Sequence, residues 1–267
     1  MAWHEAHRQV QDQFLSYLGE HSDLVLKGGT ALMKCYGLDR FSEDLDFDAL
    51  RPKVSTVRLV ERFCQARGYE SSVRKDTATV QRVMIRYHQD HALKVETSYR
   101  TRNIDPEDVT VVGGVRVYCL DALARLKAAA YLGRDTIRDL YDVTFLVNEH
   151  FDELSQASRS LLRVALANKG LDQFEVVLAE NNDDLIDTDQ LATHLLEAYE
   201  HLGIQSMEEE RNLANNGLSQ WGRARSLRRA SFPDAPSPES AMGERAARPA
   251  AGGMNEDRAP STLKGTG

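Results

Sequence analysis

The chain has 267 residues, of which 42% are hydrophobic and 28% charged, with a formal net charge of −8. Those proportions belong to a globular protein and exclude collagen, coiled coil and disorder of the whole chain. At roughly 150 residues per domain, the length allows one domain with appendages or two small ones.

The opening residues, MAWHEAHRQVQDQF, are charged throughout, so no secretory signal is predicted. Residues 3–20 read as a helix. Leu24, Val25 and Leu26 form a short strand running into Gly28 and Gly29, and Thr30 to Tyr36 reads as a helix stopped by Gly37. Residues 44–49, DLDFDA, alternate carboxylate and apolar side chains, the period of a half-buried strand. Residues 54–67 return to helical spacing, with Gly68 after the end. Strands are predicted over 69–73, 80–88 and 92–98, then a hairpin over 109–118 turning at Gly113-Gly114. From Leu120 to about residue 216 the pattern is helical, broken near Gly133, Gly170 and residues 181–184.

Five of the seven prolines fall after residue 230, among Ala, Gly, Ser and Arg and without apolar periodicity. Such a segment cannot bury enough surface to offset the cost of ordering it. The sequence therefore predicts a mixed α/β region over 1–150, a helical region over 151–217 and a disordered tail over 218–267. No stretch approaches the roughly 20 apolar residues of a membrane span. Cys35, Cys64 and Cys119 lack CxxC spacing, which points to a reducing, cytoplasmic setting with neither a zinc nor a disulfide framework.

Charge is unevenly spread. Residues 171–210 hold twelve Asp and Glu and no Lys or Arg, whereas 24 of the 33 basic residues lie in 1–170. So acidic a chain is no general nucleic-acid coat. Contact with RNA needs a local basic face, for which Arg8, Arg40, Arg82, Arg86, Arg100, Arg102, Arg116, Arg134 and Arg138 are the candidates, with the acidic stretch turned away.

The segment LKGGTALMKCYGLDRFSEDLDFD, residues 26–48, is the most informative. Two glycines where a strand enters a helix let the backbone approach a phosphate, and the helix start offers unpaired amides and a positive dipole end. A double glycine is also an ordinary turn. In a strand, residues two apart share a face, so Asp44, Asp46 and Asp48 project together. Clustered carboxylates suit a hard cation that shares its shell with phosphate oxygens; the plain alternative is a solvated edge strand. Asp is a poor strand former, and Leu45 and Phe47 mark the other face as buried, which favours a function. Glu96, in LKVETSY, lies on the face of its strand opposite Leu93, Val95 and Thr97. It is either surface or a third carboxylate beside the Asp pair.

Strand, GG[ST], a DxD pair on the next strand and one more carboxylate on a later strand resemble the nucleotidyltransferase (polymerase β-like) superfamily. The fuller strings KGGTAL and RFSEDLD, Lys27–Leu32 and Arg40–Asp46, resemble the AbiEii/AbiGii toxin family within it, the toxins of bacterial type IV toxin–antitoxin systems. Its later Lys and RDxxD element look like Lys127 in ALARLKAAA, and Arg138, Asp139 and Asp142 in RDLYD. The resemblance covers about residues 20–150. It implies an α+β nucleotidyltransferase fold with a mixed sheet, followed by a C-terminal helical region.

The resemblance further implies transfer of a nucleoside monophosphate from an NTP, with two Mg²⁺ ions. Asp44, Asp46 and Glu96 would hold metal. Lys27, Gly28, Gly29 and Thr30 would hold the triphosphate, with Ser42 reaching a phosphate or merely capping the strand entry. Lys127 would neutralise triphosphate charge, and Arg40, Asp139 and Asp142 would support it. Arg138 belongs to the same element, and its bland alternative is an i,i+4 surface ion pair with Asp142. Many relatives place Asp where Glu96 stands, and the family pattern stops short of Asp48. The 3′ end of tRNA is the implied acceptor, and a cognate antitoxin the implied partner, without an obligatory stable complex. A protein or small-molecule acceptor, or a catalytically silent nucleotide-binding module, is the alternative. The eight His residues form no HxH or HExxH pattern, and GxSxG and P-loop strings are absent.

Overall fold

The computed structural model describes residues 3–49, 55–101, 103–171, 174, 176–178 and 183–204. The tail predicted from residue 218 and the candidate Arg102 lie outside them. The elements in chain order are α1 (Trp3–His21), β1 (Leu24–Lys27), α2 (Gly28–Cys35), β2 (Leu45–Ala49), α3 (Thr56–Arg67), β3 (Glu70–Asp76), β4 (Val80–Arg86), β5 (Ala92–Ser98), β6 (Val109–Val112), β7 (Val115–Tyr118), α4 (Leu120–Gly133), α5 (Ile137–His150), α6 (Gln156–Lys169) and α7 (Thr188–Leu202).

All seven strands form one mixed sheet in the order β3-β4-β5-β2-β1-β7-β6. β2 runs antiparallel to β1 and parallel to β5, and β1 runs parallel to β7. Strands distant in sequence thus meet at the centre, with β2 between β1 and β5. The expected mixed sheet with a helical continuation is the fold observed.

Local chemistry accounts for the elements. Gly113 and Gly114 take positive φ, 57° and 82° respectively. A two-residue hairpin between right-twisted strands requires that conformation. Gly68 closes α3 at φ 71°, the usual left-handed helix stop. The alternation on β2, β4 and β5 buries Leu45, Phe47, Val83, Ile85, Leu93 and Val95 on one face. α1 and α3 cover that face, and the Phe14 and Phe63 rings meet at 5.0 Å. Phe14, Phe47 and Phe63 are essentially fully buried, each worth roughly 2–3 kcal/mol relative to exposure. The opposite side of β4 and β5 stays open and carries Arg82, Met84, Arg86, Lys94 and Glu96, paired across the ladder.

Two boundaries differ from the sequence reading. α2 begins at Gly28 rather than Thr30, so both glycines lie within its first turn. β2 begins at Leu45, leaving Asp44 just ahead of the strand. In the helical part, α6 packs on α4 and α7 on α5, so both continue the compact unit that contains the sheet.

Candidate active site

β2 positions the central carboxylates. Asp46 faces Lys27 across the antiparallel ladder and Glu96 across the parallel one. Its carboxyl is raised above the usual range, first by burial and then by the negative charges of Asp44 and Glu96, against Lys94 and Lys27. Asp44 forms an ion pair with Lys94, and Glu96 one with Arg82. Asp46, between them, has no ion-pair partner of its own among the described residues: Lys27, which faces it, is bonded to Asp48. Asp48 shares the side of Asp46 but is only 3% exposed. It binds Lys27 Nζ at 2.5 Å and accepts the Tyr118 hydroxyl at 2.9 Å, which occupies it in holding β1 and β7 to β2.

The strand-to-helix turn lies beside this cluster. Gly28 bends the chain at φ 80°, and a Cβ there would sit 3.5 Å from Asp46 Oδ2. A Cβ on Gly29 would come within 2.5 Å of Arg40 Nη2. The second glycine is thus demanded by a packed guanidinium, whatever approaches the turn from outside. No side chain caps α2, whose residue before the first turn, Lys27, is extended. Thr30 and Ser42 are both buried, with their hydroxyl oxygens 2.8 Å apart, and Thr30 donates to the Asp44 carbonyl. These two hydroxyls tie the turn to the segment that presents Asp44.

Behind the turn lies a chain of alternating charges. Buried Arg40 donates through Nε to Asp142 Oδ1 at 2.7 Å. Asp142 Oδ2 lies 2.5 Å from Lys127 Nζ, which is 3.5 Å from Asp139 Oδ1. Asp139 closes the chain by accepting from Arg134 Nε at 2.5 Å and from the Thr136 hydroxyl at 2.6 Å. Both Asp residues of the RDxxD element therefore hold Lys127. Burial alone would raise the Asp139 carboxyl, but Arg134, Lys127 and Thr136 outweigh it and lower it. Arg134 is 62% exposed and feels the charge of Asp46. Sequence reading placed it only on a general basic face.

Two expectations fail here. Arg138 does not pair with Asp142; it bonds Asp183 and reaches Glu43 at 3.4 Å. Asp142 is fully buried between Arg40 and Lys127, which leaves no surface pair to form. Arg40, offered for a surface basic face, is itself buried for the same reason.

One set of residues went unread. His7 Nε2 lies 2.7 Å from the Glu43 carbonyl and His7 Nδ1 2.7 Å from the Tyr87 hydroxyl. A carbonyl only accepts, so Nε2 carries the proton and Nδ1 accepts from Tyr87. Burial lowers the His7 pKa and keeps the ring neutral. Gln11 Nε2 adds bonds to the Ser42 and Glu43 carbonyls, at 2.8 and 3.2 Å. α1 thereby grips the backbone immediately before Asp44. Its only sequence trace was a His and a Gln four apart on a helix face, which many helices carry.

The donor set suits a hard divalent cation, being all carboxylate oxygen. Among the described residues, no three His, Cys, Asp or Glu side chains converge to cage an ion.

Comparison with known proteins follows the same line. Residues 12–219 match the family model described as nucleotidyl transferase AbiEii toxin, type IV TA system. The fold is similar to JHP933 from Helicobacter pylori, at 25% identity, with 85% of this chain and 99% of that chain covered and a TM-score of 0.61. A second H. pylori structure is similar at 26% identity, with 81% and 96% covered and a TM-score of 0.63. A comparison with curated proteins finds no match. With more than half of its length matched and the carboxylate-bearing strand beside the glycine turn in place, this chain belongs to the AbiEii nucleotidyltransferase toxin family of type IV toxin–antitoxin systems.

Proposed function

We propose that the protein transfers a nucleoside monophosphate from an NTP to the 3′ end of tRNA, with Mg²⁺ as the divalent cation. The observation that carries the reading is Asp46, flanked by Lys27 and Glu96 on the neighbouring strands and in contact range of the Gly28 turn.

Asp44 and Asp46 would hold the cation, with Glu96 as the third carboxylate of the site. The bound metal would supply charge neutralisation at the phosphates and a lowered pKa for the attacking hydroxyl. The uncapped start of α2, at Gly28, Gly29 and Thr30, would receive phosphate oxygens on its amides. Thr30 and Ser42 would act by fixing that turn. Lys27 already neutralises Asp48 and stands opposite Asp46 on β1, next to the turn that would take the triphosphate. Lys127, shared by two carboxylates and little exposed, would act from behind the site, whereas Arg134, although bonded to Asp139, is largely exposed. The carboxylate of Glu96 would take the proton of the attacking hydroxyl. For the tRNA acceptor, support comes from the exposed Arg86 on the open side of β4 and β5, where Arg82 and Lys94 are already paired with Glu96 and Asp44. The cognate antitoxin follows from the family. That residues 1–150 carry the chemistry and 151–217 support it is part of the same proposal.

The test is incubation of the purified protein with Mg²⁺, each radiolabelled NTP in turn and total bacterial tRNA, beside Asp44→Ala and Asp46→Ala. Label moving to tRNA in the parent only supports the reading. Label on protein alone, or none anywhere, refutes it.

A further inference from the structure

Three cations pair with the carboxylates around Asp46, and the pairs differ in depth. Asp44 with Lys94 and Glu96 with Arg82 lie toward solvent, the carboxylate side chains 39% and 25% exposed. Ion pairs open to water are worth little and part readily. The third pair is Lys27 with Asp48, whose side chain is only 4% exposed. Two carboxylates are within reach of this lysine. In the antiparallel β1–β2 ladder Lys27 stands directly opposite Asp46, and Asp48 is its diagonal neighbour on the same side. Its long stem and compact ammonium suit either partner. The ammonium goes to the diagonal one, 2.5 Å from Asp48 Oδ1. Burial supplies the reason, since a carboxylate taken out of water is costly unless it is paired. Asp48 is also fixed in place, because its Oδ2 accepts the Tyr118 hydroxyl at 2.9 Å. Both of its oxygens are therefore engaged, and among the described residues Asp46 is left without an ion pair.

We infer that Asp48 is a positioning residue of the site: it holds Lys27 away from Asp46, so that the central carboxylate stays open to an incoming divalent cation. The inference rests on the reading of Asp44 and Asp46 as the ligands of that cation. It adds why a lysine directly opposite one of them does not take the cation's place. Opposite charges facing each other across a ladder ordinarily pair. Formed here, the pair would put an ammonium where the cation must enter, and the two would compete for Asp46. Held by Asp48, the same ammonium stays at the end of β1, next to the turn that begins α2. It contributes positive charge there without occupying Asp46. Asp48, with a cation on one oxygen and a hydroxyl on the other, has no free oxygen to offer a metal. The last carboxylate of DLDFD thus serves the one before it without touching the cation.

Asp48→Asn tests this, because it removes the charge, keeps the shape and leaves an oxygen for Tyr118. Mn²⁺ is the probe, added to the full-length protein without NTP and read by water-proton relaxation. Its binding weakens about tenfold in Asp48→Asn as Lys27 turns to Asp46, the weight of one charged hydrogen bond. Adding Lys27→Met to Asp48→Asn restores most of the loss. Tyr118→Phe breaks only the bond between strands, so it lowers the melting temperature and leaves Mn²⁺ binding unchanged. Undiminished binding in Asp48→Asn would overturn the inference. So would a loss that Lys27→Met does not reverse, or one that Tyr118→Phe reproduces. A second measurement needs neither metal nor a substitution at Asp48. In EDTA, a urea unfolding cycle of Lys27→Met with Asp46→Asn is close to additive, because the two side chains are neighbours and not a pair. Strong coupling in that cycle would overturn the inference. A parent that binds no Mn²⁺, or binds it equally after Asp44→Ala and Asp46→Ala, would sink the metal reading of the site. Additivity in urea would then leave the capture of Lys27 by Asp48 standing.

Discussion

Asp46 stands directly opposite Glu96 in the parallel β2–β5 ladder, so two carboxylates share one side of the sheet in adjacent strands. With Asp44 two residues before Asp46, their mutual repulsion is part of what lifts the Asp46 pKa. A site that stores like charge in a half-buried place gives up stability until a cation enters it.

Replacing Asp46 with Asn should therefore separate activity from stability. Nucleotidyl transfer should fall by at least about 100-fold, the scale of losing one preorganised charged group. The melting temperature should stay level or rise, since the variant removes a charge that burial disfavours. Parallel transfer assays and thermal melts check both. A variant that melts well below the parent would show that Asp46 is held mainly for folding.

The two glycines of the turn should fail for different reasons. Gly28→Ala forces a side chain into the left-handed region, at φ 80°. That conformation costs an L-residue roughly 1–2 kcal/mol. Gly29→Ala drives a Cβ to 2.5 Å from Arg40 Nη2. Arg40 cannot swing aside without leaving Asp142. The overpacking should then cost roughly 1–3 kcal/mol. Urea unfolding of each variant, with Gly29→Ala repeated in an Arg40→Ala background, tests the clash. The double variant should recover part of the Gly29→Ala deficit.

Asp142→Ala should be among the most damaging substitutions outside the carboxylate site. It strands Arg40 and Lys127 together in a buried position. Breaking one partner of a buried pair costs about 3–5 kcal/mol. Asp139→Ala should cost less, because Arg134 is largely exposed and regains water. Denaturant midpoints for the two variants rank them directly.

Acid should destabilise the fold in two stages. Burial lowers the His7 pKa below its ordinary 6.5, so the unfolded chain binds a proton the folded chain resists. Stability is lost as pH falls below that value. Asp139 is likewise depressed below its ordinary 3.8, so its contribution is present above that value and lost as pH falls beneath it. Melting temperature against pH should show both stages, and His7→Gln should remove the upper one. A flat profile between pH 7 and 5 would contradict the His7 stage.

Much of the site was legible because its code is local. Alternation over 44–49 announced a strand with carboxylates on one side, and Gly113-Gly114 announced a hairpin. KGGTAL and RFSEDLD, by their resemblance, pointed to the family. The helical region after Leu120 could be read from apolar spacing, although the partners of its charged residues could not.

What the sequence determined by itself is therefore which side each residue takes on its own element, since periods of 2 and 3.6 are properties of short segments. The tertiary structure decided which sides meet. Sheet order put Glu96 beside Asp46 and Tyr118 beside Asp48, turning one carboxylate toward the site and the next toward a structural bond. Packing of α5 on α4 gave Asp142 to Arg40 and Lys127 rather than to Arg138. Docking of α1 brought His7 within reach of the backbone before Asp44. Each of these joins residues at least 15 positions apart. Such pairings are selected by the whole core at once, because a buried charge must find its partner wherever the fold places one.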